Sequence, residues 1–157
     1  MPTYKQTYDR NRVITAGHGS MRVFNRIVSA LTKAGISLMG SRVLSVRGRK
    51  SGEWRSTPVN LLTYDGATYL VSPRGHTQWV RNLRATPEAR LQLGRTTQTF
   101  RAEELADPAK TEVLRHYLRK WSWEVGAFFE GDVTKNSPDE VLHHIAPGVP
   151  AFRLHQV

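Results

Sequence analysis

The pair Asp65-Gly66 sets the tightest limit on how this chain can fold. It stands between two runs of strand character, Thr57–Thr63 and Thr68–Ser72. Asp-Gly accepts the left-handed backbone that a two-residue turn between antiparallel strands demands. Further strand-type runs recur at short spacing: Val43–Val46, then Ala89–Leu93 and Thr97–Ala102 across Gly94-Arg95, and finally Ala151–Leu154. Short strands at close intervals, with helical segments between them, predict an α+β domain that is mainly β. They predict a small barrel with peripheral helices, not a parallel sheet.

Three segments read as helices. Ser20 caps a stretch reaching Leu38, with Met21, Phe24, Ile27, Val28, Leu31 and Leu38 at helical spacing and Arg22, Arg26 and Lys33 off that stripe. Residues 1–19 before it read as a loose lead-in, and residues 1–157 as one domain. Thr77–Ala85 is a short helix that turns Trp79, Val80 and Leu83 inward. Asp107-Pro108 opens the clearest helix, with a cap residue followed by a first-turn proline; its buried stripe is Val113, Leu114, Tyr117, Leu118 and Trp121.

The basic charge is concentrated at one end. Residues 1–55 hold 11 Lys/Arg against two acids, Asp9 and Glu53, a net of +9, whereas residues 56–157 are close to neutral at +1. This excess ends in the run Arg47-Gly48-Arg49-Lys50-Ser51-Gly52, with Arg55 three residues on. Two glycines there bracket cations and a hydroxyl. Such a turn can aim guanidinium forks, an ammonium and backbone N–H groups at one phosphate or carboxylate. A solvated basic hairpin turn is the alternative.

Familiar chemistries are missing. The chain has no cysteine, which excludes disulfides, thiolate metal sites and a cysteine nucleophile. Gly48-Arg49-Lys50-Ser51 lacks the frame of a P-loop, and Gly17-His18-Gly19 lacks that of a dinucleotide fingerprint. No serine occupies a Gly-x-Ser-x-Gly elbow. His143-His144 are adjacent and point apart, so no metal site is expected. No apolar run approaches the roughly 20 residues that span a bilayer, and the expectation is a cytoplasmic protein.

The middle of the chain resembles the deazaflavin-dependent nitroreductase family, which uses coenzyme F420. The resemblance rests on Gly48-Arg49-Lys50-Ser51-Gly52, Arg55 with Thr57-Pro58, the Asp65-Gly66 hairpin, and Ser72-Pro73-Arg74-Gly75. It continues through Trp79 and Asn82-Leu83-Arg84-Ala85-Thr86-Pro87. It covers residues 42–93 well and the remainder in outline. It implies a split β-barrel of the flavin-reductase/FMN-binding type, with the deazaflavin in a groove along the barrel. The cofactor phosphate is then expected at Arg49, Lys50, Ser51 and Arg55. The ring is expected along Ser56, Thr57, Pro58, Val59 and Asn60, held also by Val71, Ser72, Pro73 and Arg74. The short helix adds Gln78, Trp79, Val80, Arg81 and Asn82.

In the family's nitroreductase, tyrosines of the C-terminal half line the acceptor pocket. The corresponding region here offers Trp121, Trp123, Phe128 and Phe129, so nitroimidazole chemistry does not carry over. The loop between Gly75 and Trp79 is also shorter. The resemblance implies hydride transfer from reduced F420 to an electron-poor small molecule: an activated C=C of enone or lactone type, a quinone or a nitro compound. F420 carries a phosphodiester and glutamates, a polyanion suited to the basic N-terminal third. Hydride chemistry belongs to the cofactor, and no catalytic acid or base is assigned.

Other readings stay open. An FMN-binding split-barrel reductase or oxidase would share the fold. A nucleic-acid module would explain the charge, but no helix-turn-helix is present and the aromatics are not interleaved with the basic cluster. The helix Ser20–Leu38 either covers the sheet or rests its cationic, apolar face on an anionic membrane.

Overall fold

The computed structural model describes residues 8–14, 41–93, 95–129 and 133–157. The expected helix 20–38 and most of the lead-in lie outside them.

The alternating apolar runs form six strands: β1 (Ser41–Arg47), β2 (Trp54–Tyr64), β3 (Ala67–Val71), β4 (Glu88–Leu93), β5 (Thr96–Glu104) and β6 (Ala151–Gln156). They close a barrel in the order β1-β2-β3-β6-β5-β4. At the β2–β3 turn Asp65 has φ 51° and Gly66 φ 77°, so both central residues take the left-handed conformation that their side chains tolerate. β1 runs antiparallel to β2 from Ser41↔Asn60 to Arg47↔Trp54, and antiparallel to β4 from Val43↔Gln92 to Val46↔Ala89. Among the described residues, three α-helices complete the order: α1 (Gln78–Ala85), α2 (Thr111–Val125) and α3 (Asp139–Ile145).

Packing divides the chain into two units. One takes the described parts of residues 1–14, 62–77 and 104–153; the other takes those of 15–61, 78–103 and 154–157. The first unit has an aromatic core in which the α2 stripe Val113, Leu114, Tyr117, Leu118 and Trp121 packs with Tyr8, Tyr69, Phe129, Leu142 and Ile145. The core of the second unit is mainly aliphatic, with Val43, Leu44, Val80, Leu83 and Ala89 without exposure.

Two expectations are corrected. Asp107 does not cap a helix. A 3-10 turn, Asp107–Lys110, precedes α2, and no side chain caps it. The Asp107 carboxylate instead takes Arg10 at 2.7 Å and Lys110 at 2.9 Å.

Nor are residues 8–14 loose. Arg12 is buried and donates to Gly148 O (2.8 Å) and Phe128 O (2.5 Å), while its guanidinium lies 4.5 Å from the Tyr8 ring centroid. The Arg12 carbonyl accepts from His76 N at 2.8 Å. Gly75 and Gly148 admit this segment because they have no Cβ. One added at Gly75 would come within 2.1 Å of Arg12 O, and one at Gly148 within 2.8 Å of Tyr8 Cα.

Candidate functional site

The basic turn lies between β1 and β2 in the second unit. It is closed by Gly48 N–H to Glu53 O (2.7 Å) and Gly52 N–H to Gly48 O (2.8 Å), with Gly52 at φ 74°. Ser51 Oγ accepts from Glu53 N at 3.2 Å. Arg47 donates to Gly52 O at 3.1 Å and so braces the turn from the strand side. Arg49, Lys50, Ser51 and Arg55 are all exposed. A Cβ at Gly48 would lie 3.0 Å from Ser51 Oγ, 3.3 Å from Glu53 O, which already accepts from Gly48 N–H, and 3.6 Å from Arg55 Nε. The glycine thus lets a hydroxyl and a guanidinium converge over bare backbone, beside Lys50 in the chain. Glu53 is the one acid among residues 42–57. This donor set suits the phosphate of a polyanionic cofactor.

Strand geometry splits the run expected to lie under the ring. Val46 pairs with Arg55 and Leu44 with Thr57, whereas Ser45 pairs with Ser56 and Val43 with Pro58. Directly paired residues share a face and successive residues alternate. Arg55, Thr57 and Val59 therefore share one face, and Ser56, Pro58 and Asn60 share the other, so the side chains of Ser56–Asn60 cannot all meet one ring. On the latter face Ser56 Oγ lies 2.8 Å from Ser45 Oγ, and Trp54 carries the guanidiniums of Arg47 (4.2 Å) and Arg90 (4.0 Å) over its ring. Aromatic and basic residues are interleaved here after all, across strands instead of along the sequence.

On α1, Gln78 and Arg81 are exposed and Trp79 is half-buried. Val80 has no exposure and serves the core, not the cofactor face expected for it. Asn82 is buried too, and its Oδ1 accepts from the backbone N (3.1 Å) and Nη1 (2.7 Å) of Arg49.

Val71, Ser72, Pro73 and Arg74 belong to the first unit. Val71 and Ser72 are buried, and the polar groups of Ser72 are engaged internally. Its N–H donates to Pro150 O at 2.9 Å and its Oγ to Gly75 O at 2.5 Å. Arg74 Nε donates to Ile14 O at 2.8 Å, and burial holds this guanidinium below its ordinary pKa.

The aromatics expected to line the acceptor pocket are also reassigned. Trp121 is fully buried and Phe129 nearly so, both within the first unit's core; Phe128 packs against that core. The indole of Trp123 lies outside what is described.

The closed six-stranded barrel is of the split-barrel type. The F420H(2)-dependent quinone reductase family matches residues 20–125, and the chain belongs to that family. It is thus an enzyme that uses F420H2 as cofactor and acts on a small-molecule acceptor.

Solved structures share the fold at low identity. One, described as a domain-swapped dimer, aligns with TM-score 0.53 and 19% identity over 83% of this chain and 92% of that one. An F420-H2-dependent reductase, FDR-A, aligns with TM-score 0.50 and 17% identity over 74% and 94%. A heme-binding protein from Mycobacterium smegmatis aligns with TM-score 0.52 and 13% identity over 82% and 48%. Comparison with curated proteins finds no significant match. Among the described residues, no helix is long and apolar enough to cross a membrane.

Proposed function

We propose that this enzyme binds F420 with its phosphate at the turn Gly48–Arg55 and reduces an electron-poor acceptor, a quinone first. Enone or lactone C=C bonds and nitro compounds, the acceptors of the deazaflavin-dependent nitroreductases that the chain resembles, form the wider class. The observation that carries the reading is the convergence of Ser51 and Arg55 over Gly48, next to exposed Lys50.

When bound, the reduced deazaflavin supplies the hydride. The residues of the chain bind and orient. Lys50, Ser51 and Arg55 hold the phosphate. Thr57 continues the Arg55 face under the ring, and Gln78, Trp79 and Arg81 flank it from α1. Steering by the basic N-terminal third favours a polyanion over a neutral ligand. Specific nucleic-acid binding is not part of the proposal, because Trp54, the aromatic next to the turn, already carries two guanidiniums where a base would stack.

Parallel titrations with F420 and FMN, followed by cofactor fluorescence, test the cofactor site. Saturable F420 binding that weakens with salt is expected; tight FMN binding without F420 binding would overturn it. Anaerobic oxidation of F420H2 by a quinone, an enone and a nitroaromatic then ranks the acceptors.

A further inference from the structure

Asn82 is a buried amide in a helix whose other inward residues, Val80 and Leu83, are apolar. Burying an amide costs free energy unless its hydrogen bonds are made. Both lone pairs of its Oδ1 are taken up by one residue, Arg49, through the backbone N–H at 3.1 Å and Nη1 at 2.7 Å.

Arg49 is 33 residues away and sits at the centre of the basic turn. The other hydrogen bonds of the turn are local: Gly48 to Glu53, Gly52 to Gly48, Glu53 to Ser51 and Arg47 to Gly52. Local bonds fix the shape of a turn, but not where it sits against the helix beside it. The Asn82 contact supplies that second constraint, within a single packed unit.

The geometry points to Asn82 as a positioning residue. It acts through Arg49 to hold Lys50, Ser51 and Arg55 in binding geometry, and is not itself a cofactor ligand. Arg49 is correspondingly the anchored residue of the turn, while Lys50 and Arg55 meet the phosphate. This rests on the reading of the turn as the cofactor's phosphate site. Pre-organisation then raises affinity by sparing the cost of ordering the loop on binding.

Three readouts test it. In the cofactor-free protein, amide exchange at Arg49 should accelerate at least tenfold in Asn82→Ala and stay slow in Asn82→Asp, which keeps an oxygen acceptor. In F420 titrations Asn82→Ala should raise Kd about tenfold, with the loss in the cofactor KM rather than in kcat. The double variant with Arg49→Ala should bind no more weakly than the worse single variant.

Additive losses would make Asn82 an independent ligand and overturn the inference, as would unchanged exchange at Arg49. If Asn82→Ala does not fold, Asn82→Ser, too short to reach Arg49, takes its place in the same cycle. Failure of the underlying reading is separately visible. Unchanged F420 affinity in both Lys50→Ala and Arg55→Ala would remove the phosphate site, whatever the Arg49 amide does.

Discussion

Two pairs of cations, one pair in each unit, are used in opposite ways. In the first, Arg12 and Lys110 are buried and spend their donors on backbone: Arg12 on Gly148 O and Phe128 O, Lys110 on Ala146 O at 2.7 Å as well as on Asp107. In the second, Lys50 and Arg55 stand exposed on a turn whose backbone needs are met without them. A cation that completes the hydrogen bonding of its own fold has nothing left for a ligand. One that the fold does not require can serve binding at little cost in stability.

The sharpest break of this contrast is Arg12→Met. The buried Gly148 carbonyl and the part-buried Phe128 carbonyl lose a donor, at about 1–3 kcal/mol each. Denaturant unfolding should show a loss of about 3–5 kcal/mol, while the folded fraction should bind F420 as before. A loss below about 1 kcal/mol would place Arg12 with the surface cations.

Arg55→Ala should do the reverse. Cofactor binding should weaken by about 1.5–3 kcal/mol, the range for a charge-assisted hydrogen bond, or about ten- to a hundredfold in Kd. Lys50→Ala should cost less, since an ammonium lacks the planar fork. Thermal unfolding of both variants should stay within about 0.5 kcal/mol of the parent. Titration of F420 at two salt concentrations should show a shallower salt dependence in each variant than in the parent.

Lys110 adds a pH signature to the first unit. Burial is the larger influence and lowers its pKa below the ordinary 10.5, against the hydrogen bond and charge of Asp107, which raise it. Between that lowered value and 10.5 the unfolded chain binds more protons than the folded one. The stability contributed by this group therefore rises with pH across that window. Lys110→Met should lose about 1–3 kcal/mol at neutral pH by leaving Ala146 O without its donor. Urea unfolding across the alkaline range should show the parent gaining on the variant as pH climbs; a flat difference would remove the linkage.

The smallest effect is expected at Trp54. Two exposed cation–π contacts contribute about 0.5–1 kcal/mol each, so Trp54→Ala should cost about 1–2 kcal/mol by the same unfolding assay. F420 affinity should change little, because Trp54 and Arg55 point to opposite faces of β2.

What sequence could tell follows the range of each interaction. Asp65-Gly66 and the α2 stripe were legible because a turn and a helix are fixed by residues a few places apart. The basic turn was legible for the same reason. Tyr8–Ile14 read as a loose lead-in because its partners, Gly148 and Asp107, are about a hundred residues or more away and it has no periodicity of its own. Asp107-Pro108 resembles a cap in sequence, but the carboxylate is claimed by Arg10 and Lys110. Trp121 and Phe129 were expected at a pocket because the resemblance carried the family's acceptor region over by its place in the chain, although Trp121 also falls on the buried stripe of α2. Asn82 belonged to the expected site, but only the long-range contact to Arg49 reveals its role there. The alternation of β2 was written in the sequence, yet the resemblance carried Ser56–Asn60 over as one continuous lining.

The clasp at Arg12 also dictates an order of assembly. Its acceptor Gly148 lies 136 residues further along the chain, and Arg10 waits 97 residues for Asp107. During synthesis the segment around Arg12 leaves the ribosome long before Gly148 exists, so the first unit cannot close until nearly all of these 157 residues have emerged. Contacts of such separation slow folding, because the loop must close before they contribute any energy. The contact that tethers the basic turn, between Arg49 and Asn82, spans only 33 residues. The basic turn and its tether can therefore be in place while the aromatic core is still waiting for its last strand.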